Sequence, residues 1–278
     1  MKQYRTREGD ITAVDTRTQL STVGSETAPG PLLVPQSAKF IVGAIVNHVS
    51  SMAAATSYSA FIRLEGAGLQ NGPETVAVGA GGMAVATGGN AAAYPTMIPL
   101  NLPVIAAQEI QIFGEMAGTD VGLLSMNVTL VFSDAMPSGE SVNRTFTVEG
   151  DITAADTRTA LTTQGSVTAP SPVVPSSVKK IRRIVVAAAS EGLADGAQNI
   201  FLRLGGNAVL GGEQVIGIGA VGRIAVQTGS DAAPQLVSAT VLDDLDIEVS
   251  PSDTISVSAE GAGTDTGTVR VVATLIFE

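Results

Sequence analysis

The chain has 278 residues, 45% hydrophobic and 15% charged, a composition typical of a globular protein and not of a disordered one. Its formal net charge of −11 at pH 7 excludes a general electrostatic attraction to nucleic acid or to an anionic membrane. The absence of cysteine excludes disulfides, thiolate metal sites and cysteine nucleophiles.

Short β-strands separated by glycine-containing turns are predicted throughout the first half of the chain. Alternation of apolar and polar residues, as in residues 109–114, is typical of a strand with one buried face. The predicted strands are, in chain order, residues 4–7, 11–14, 39–48, 58–65, 74–79, 83–87, 108–116 and 123–132. The last of these is long, rich in β-branched residues and free of proline, so we expect it to be central in its sheet.

The second half of the chain repeats the first. Residues 8–20 recur as residues 149–161 with only two differences, and similar matches continue to the end of the chain. Each copy spans about 139 residues, near the common size of one domain, so the repeat predicts two homologous domains. We predict a first β-sandwich at residues 1–134, a linker at 135–144 and a second β-sandwich at 145–278.

The predicted fold class is therefore all-β, with two tandem homologous β-sandwich domains of about eight strands each. Eight strands in two sheets is the number in a jelly roll, and immunoglobulin-like or Greek-key sandwiches remain alternatives.

The sequence Asp-Thr-Arg-Thr occurs once in each repeat, with Asp15 and Arg17 in the first copy and Asp156 and Arg158 in the second. The arginines could clamp an oxyanion ligand, since guanidinium binds such groups through two hydrogen bonds. Alternatively, the aspartate and threonine side chains fix a turn and the arginine pairs with a nearby carboxylate. We favour the second, structural interpretation.

A second repeated motif, Ala-Gly-Thr-Asp, places Asp120 and Asp265 between two predicted strands. These carboxylates could be calcium ligands, but each motif supplies only one. Glycine and aspartate are also the residues that a tight hairpin turn requires, so the motif predicts a turn.

Candidate catalytic groups are few. His48 is the only histidine, and a lone histidine at a strand end is expected to be a surface or hydrogen-bonded residue. Glu115 and Glu260 recur at equivalent positions but are expected to lie in different domains, which gives no support for paired-carboxylate hydrolysis. We therefore predict no catalytic residue, no cofactor, no metal site and no enzymatic activity.

One cluster of charge distinguishes the repeats. Four cations at the start of a strand, present only in the second repeat, are Lys179, Lys180, Arg182 and Arg183. They could contact an acidic neighbour in an assembly or face enclosed nucleic acid. They could equally protect a solvated sheet edge. The acidic residues 243, 244 and 246, also without a counterpart in the first repeat, are expected to form a solvated loop.

Two fused β-sandwiches rich in small residues, without a signal peptide or catalytic motif, resemble the tandem jelly-roll major capsid proteins of tailless bacterial and archaeal viruses. The resemblance covers the whole chain and is architectural. It implies a self-assembling shell protein whose trimer presents six similar domains as a pseudo-hexamer. The implied partners are further copies of the chain and other virion proteins, with no membrane insertion and only weak interior contacts to nucleic acid.

The implied location is the virion, after synthesis in the host cytoplasm. A phage decoration, fibre or baseplate protein is an alternative function, as is a carbohydrate-binding module. The latter is less favoured, since the three tyrosines lack equivalents in the second repeat.

Overall fold

The computed structural model describes residues 1–27, 29–52, 56–83, 89–119, 122–167, 170–190, 196–223, 235–263 and 268–278. These residues form β-strands joined by turns, and all paired strands run antiparallel. None of them belongs to a helix long and apolar enough to cross a membrane. The predicted all-β fold class is confirmed.

The first half of the chain forms one β-sandwich. One sheet has the order β1-β9-β3, with two further strands, β6 and β7, both paired to β3. The other sheet has the order β2-β8-β4-β5. The strands are β1 Lys2–Ile11, β2 Thr18–Gln19, β3 Phe40–Met52, β4 Thr56–Glu65, β5 Glu74–Met83, β6 Gly89–Ala92, β7 Thr96–Pro103, β8 Gln111–Gly118 and β9 Leu123–Ser133.

The second half repeats this arrangement. Its sheets have the orders β10-β19-β12, with β16 and β17 both paired to β12, and β11-β18-β13-β14. The strands are β10 Arg144–Ile152, β11 Arg158–Ala160, β12 Lys180–Ser190, β13 Gly196–Gly205, β14 Gln214–Arg223, β15 Gln235–Ser238, β16 Thr240–Leu242, β17 Ile247–Glu248, β18 Ser256–Gly263 and β19 Val269–Phe277. In each half the first strand pairs with the last strand, and the last strand pairs on its other side with the long strand β3 or β12. This is the jelly-roll order. β9 and β19 are central, as expected.

One strand crosses between the halves. β15 pairs with β5, in a register that runs from Gln235 opposite Gly82 to Ser238 opposite Gly79. It adds a fifth strand to the sheet β2-β8-β4-β5 of the first sandwich, although it belongs to the second repeat. β6, the strand at the corresponding position of the first repeat, pairs with β3 of its own half. The domain limits drawn from the repeat stay a prediction.

Two of the predicted strands differ from the structure, and three strands, β2, β6 and β7, were missed. β1 already ends at Ile11, where residues 11–14 were predicted as a separate strand. Residues 84–87 of the predicted strand 83–87 lie outside the described residues. β7 contains Pro99 and Pro103. Proline lacks the amide hydrogen that a ladder needs, but β7 pairs only with β3 and tolerates it as an edge strand.

The four sheets stack as layers, and this places the two halves face to face. In β12, Ile184 and Val186 point into the core of the second sandwich, whereas Val185 and Ala187 pack with the core of the first. β19 is buried along its whole length. The sheet β10-β19-β12 therefore has both faces covered, one by its own sandwich and one by β4 and β5 of the other.

Candidate functional site

The surface where the two sandwiches meet, here called the seam, is built around a buried ion pair. Arg63 of β4 donates from Nε to Glu115 of β8, and these side chains are 4% and 0% exposed. The second sandwich completes both partners. Arg63 Nη2 donates to the carbonyl oxygen of Gln164 at 2.7 Å, and the backbone amide of Ser166 donates to Glu115. The pair therefore bonds the halves together as well as neutralising its own charges.

The second sandwich contributes its own buried cation to the seam. Arg270 lies 2.6 Å from Glu149 and 2.9 Å from Asp151, and its Nε donates to the hydroxyl of Ser59 at 3.2 Å. Burial alone would lower the pKa of Arg270, but attraction to Glu149 and Asp151 outweighs it and raises that pKa. Arg270 is therefore held in its charged form. A buried guanidinium requires carboxylate partners to remain charged.

A pair of threonines binds the backbone of β5. The Thr147 hydroxyl donates to the Thr75 carbonyl oxygen at 2.6 Å, and the Ala77 amide donates to the Thr274 hydroxyl at 2.8 Å. The two hydroxyls lie 2.7 Å apart. β15 pairs with β5 only from Gly79 onward, so these hydroxyls satisfy backbone groups that no strand reaches.

A further buried carboxylate lies at the end of the seam. Glu74 accepts hydrogen bonds from the Thr145 amide at 2.9 Å and from its hydroxyl at 2.5 Å, and lies 3.3 Å from Arg144. Burial raises the pKa of Glu74, while the bonds from Thr145 and the charge of Arg144 oppose that rise.

The second repeat carries the same ion pair on an open surface. Arg203 and Glu260, the equivalents of Arg63 and Glu115, lie 2.7 Å apart, with Glu213 a further 3.1 Å from Arg203. The side chain of Arg203 is 26% exposed, because no third sandwich covers this sheet within the chain. One face of the fold is therefore a buried interface in the first repeat and a water-facing surface in the second.

The Asp-Thr-Arg-Thr motifs lie at turns beside the equivalent strands β8 and β18, where the Asp15 amide donates to Met116 and the Asp156 amide donates to Gly261. Asp15 and Asp156 have positive φ angles of 51° and 54°, a backbone conformation that aspartate tolerates better than most residues. Arg17 pairs with Glu65 at 2.8 Å, and Arg158 pairs with Glu213 at 2.6 Å. In each repeat the arginine thus has a carboxylate partner on its own sandwich.

Asp15 lies close enough to the seam to be affected by its charges. Burial raises the pKa of Asp15; the nearby Arg270 opposes this rise, and the negative charge of Glu115 adds to it. The first copy of the motif is therefore electrically coupled to the contact between the halves.

The aspartates of the second motif, Asp120 and Asp265, lie outside the described residues. The glycine two positions earlier in the first copy, Gly118, has a φ of 135°. A Cβ added there would lie 2.4 Å from the Ser57 carbonyl oxygen. Glycine at this position allows the end of β8 to approach β4.

Three of the four cations at the start of β12 pair with carboxylates, and Lys179 is exposed. Lys180 lies 3.0 Å from Asp246 and 2.9 Å from Glu278. Hydrogen bonds to Glu278 and Asp246 raise the pKa of Lys180.

The two arginines of this cluster are paired as well. Arg182 contacts Asp244, and Arg183, whose side chain is 3% exposed, contacts Glu140 and lies 2.7 Å from Asp243. Burial opposes the charged form of Arg183, but Glu140 and Asp243 together raise its pKa. The cationic and acidic clusters that only the second repeat contains thus neutralise each other.

An open polar groove of about 660 Å³ lies on the outer sheet of the first sandwich. Its lining includes Glu8, Asp10, Asn47, Ser125 and Asn127. Among the described residues, no group of three or more histidine, aspartate or glutamate side chains is placed to hold a metal ion.

Sequence reasoning missed the seam, although a signal for it was present. The arginine of the sequence Phe-X-Arg-Leu recurs as Arg63 and Arg203, and the glutamate recurs as Glu115 and Glu260. A repeated cation and a repeated carboxylate in adjacent strands could have predicted one ion pair per sandwich. Burial of only one of the two pairs depends on how the halves pack, which the repeat does not reveal.

No protein-family model matches the chain, and no curated protein sequence matches it. Several solved structures are similar in fold. A recombinant N-glycanase F matches with 10% identity and a TM-score of 0.45, covering 99% of this chain and 95% of that one. A structure of the same enzyme, a glycosylasparaginase from Flavobacterium meningosepticum, matches with 9% identity and a TM-score of 0.38, covering 98% and 96%.

A protein of the Sulfolobus Turreted Icosahedral Virus matches with 11% identity and a TM-score of 0.22, covering 99% of this chain but only 57% of its own. At such identities and TM-scores, the likenesses concern the β-sandwich architecture alone. The viral resemblance is supported only as far as an all-β fold that viral capsids also have.

The prediction that the chain has no enzymatic activity is corrected. The solved structures matched over nearly its whole length include an enzyme, a glycosylasparaginase. The prediction relied on the lack of a catalytic motif in the sequence. A missing sequence motif does not exclude an active site, because such sites are recognised by geometry and not by sequence position.

Proposed function

We propose that this chain is a structural protein that assembles with further copies of itself into a viral shell. In this proposal three chains, each contributing two sandwiches, form a pseudo-hexameric unit. The partners are copies of the chain and other virion proteins, and the location is the virion.

The observation that carries the proposal is the seam. It is a contact between two different faces of two sandwiches with the same fold, held by buried groups such as Arg63 and Arg270. Such a heterologous contact generates a ring or an open chain when it is repeated between molecules. Because each chain already contains one such contact between its two sandwiches, only the contacts between chains remain to be formed during assembly.

The same features join the two sandwiches into one rigid unit, as a shell subunit requires. β15 joins the second repeat to a sheet of the first, and ion pairs on both sides of the seam are buried. Fusing two sandwiches in one chain also raises the effective concentration of one for the other and removes one association step.

Nucleic acid has a minor role in this proposal. Lys180, Arg182 and Arg183 already have carboxylate partners, which leaves Lys179 as the exposed cation of that cluster. A shell built from this chain is expected to hold nucleic acid weakly through this surface. Neutralising all four cations together should therefore change nucleic-acid retention only slightly.

The first experiment is mass measurement by light scattering over a range of salt concentrations, with negative-stain images of the same sample. A trimer, sheets or closed particles would support the proposal. A monomer under every condition would contradict it. A glycan array and a search for a preformed shell or tail as partner would then test the carbohydrate-binding and decoration functions.

A further inference from the structure

The two faces that meet in the seam both recur on the outside of the chain. The first is the outer face of β11-β18-β13-β14, here called the pair face, which carries Arg158, Arg203, Glu213, Val215 and Glu260. The second is the outer face of β1-β9-β3, here called the threonine face, which carries Thr6, Glu8, Asp10, Asn47 and Thr129. The pair face is equivalent to the seam side of the first sandwich, and the threonine face to the seam side of the second.

We propose that the pair face of one chain docks on the threonine face of a second copy, in the geometry of the seam. This inference rests on the proposed self-assembly and names the surfaces that would carry it. The contact would be heterologous, so each chain would use one face toward each neighbour.

The threonine face has the geometry that the seam uses. The hydroxyls of Thr6 and Thr129 lie 2.9 Å apart, as those of Thr147 and Thr274 lie 2.7 Å apart in the seam. Both pairs occupy the same register positions between the first and last strands of their sandwich. A neighbouring backbone could therefore be bound by Thr6 and Thr129 as β5 is bound in the seam.

The pair face has the matching backbone. β14 is the edge strand of its sheet, as β5 would be without β15. Val215 stands opposite Arg203, just as Thr75 stands opposite Arg63. Val215 is therefore the equivalent of Thr75, whose carbonyl oxygen accepts a hydrogen bond from Thr147 in the seam. Val215 is 51% exposed, an apolar side chain on an open edge strand. Long apolar edges are normally covered or charged.

Charged groups on the two faces can pair across the proposed contact. On the threonine face the carboxylates Glu8 and Asp10 lie toward one end of β1 and Lys2 lies at the other end. Ser125 stands where Arg270 neutralises the equivalent carboxylates in the seam. The pair face carries Arg158 and Arg203, which in the single chain contact Glu213 and Glu260 of the same face. A neighbouring chain could therefore provide the cations that the threonine face lacks.

The absence of cysteine allows a clean crosslinking test on the full chain. In the seam geometry Thr6 and Val215 of two copies are neighbours, as Thr147 and Thr75 are within the chain. The double variant Thr6→Cys/Val215→Cys is oxidised and analysed on a non-reducing gel. The matched control is Thr6→Cys/Leu210→Cys, since Leu210 is also exposed, at 49%, but lies in a turn off the pair face.

The proposal predicts a ladder of dimers, trimers and higher species for the double variant, formed at least about tenfold faster than in the control because docking raises the local thiol concentration. A ladder that stops at one size indicates a closed ring, and an open ladder a filament. Each single-cysteine variant should give no species beyond a dimer.

Two results would overturn the proposal. If the double variant crosslinks no faster than the control while light scattering still finds oligomers, this contact is wrong but self-assembly stands. If the unmodified chain is a monomer throughout, both proposals fail.

A second measurement uses substitutions on the same surface. Val215→Arg should abolish oligomers while Leu210→Arg leaves them, and equal behaviour of the two variants would also contradict the docking.

Discussion

His48 should make this protein sensitive to mild acid. The side chain is 1% exposed inside the first sandwich, with its ring edge-on to Tyr58 at a centroid distance of 6.4 Å. Its Nε2 has no hydrogen-bond partner among the described residues, which differs from the expected surface or hydrogen-bonded histidine. Burial lowers the pKa of His48 from 6.5 to about 4, so the imidazole is neutral in the folded protein.

The magnitude follows from linkage between proton binding and unfolding. Below pH 6.5 the unfolded chain binds a proton at this position and the folded chain does not, until the pH approaches about 4. The stabilisation is therefore present above pH 6.5 and is lost as the pH falls. The full difference corresponds to about 3 kcal/mol, of which about 2 kcal/mol should be lost between pH 7 and pH 5.

Urea unfolding at a fixed protein concentration measures this loss, with His48→Met as the matched variant. The variant keeps every carboxylate but has no imidazole, so its free energy of unfolding should fall by about 2 kcal/mol less over the same pH range. His48 is the only histidine, so an NMR titration follows it without ambiguity. Equal pH dependence in both proteins, or a measured pKa near 6.5, would refute the reasoning.

Two further predictions concern the seam. A Cβ added at Gly82 would lie 2.4 Å from the Ser190 carbonyl oxygen across the seam, so Gly82→Ala should destabilise the fold by about 1–3 kcal/mol. Gly30→Ala, with open space around it, should change stability by no more than about 0.5 kcal/mol, and equal effects would argue against the close approach. Arg63→Met should cost about 3–5 kcal/mol because it leaves a buried carboxylate unpaired, whereas Arg203→Met at the exposed equivalent should cost less than about 1 kcal/mol. Thermal or urea unfolding at low protein concentration compares the two, and similar costs would contradict the assigned burial.

The main features of each sandwich could be predicted from the sequence because they depend on local pattern. In β9, Leu124, Met126, Val128 and Leu130 alternate with less buried residues, and this period fixes both the strand and its inward face. The long proline-free strands at the end of each repeat are central for the same reason. The repeat itself then required the two halves to share one topology.

Other elements depend on contacts that no local pattern encodes. β7 contains two prolines and can be a strand because it pairs on one side only, with β3. β15 has the same position in the second repeat that β6 has in the first, yet it pairs with β5 of the other half. Which partner a short strand finds is decided by the packing of the sandwiches, and the sequence of Gln235–Ser238 does not state it.

The charged clusters show the same limit at the level of sites. Lys180 and Asp246 are far apart in sequence and were interpreted separately, one as a contact surface and the other as a solvated loop. The pairing of β12 with β16 and β17 brings them together. Two asymmetries of the second repeat are therefore one feature, a cluster that balances its own charge.

The differences between the repeats also bear on what covers the pair face. If this face only met water, its apolar residues should have become polar relative to their buried equivalents, since nothing there would require burial. Phe113 opposite Arg63 is indeed matched by Ser258. Phe61, fully buried beside Arg63, is however matched by Phe201, and Thr75 is matched by the more apolar Val215. The ion pair has been kept as well. A surface that keeps the ion pair and part of the apolar character of a buried interface, without being buried in the single chain, is what a contact between copies requires.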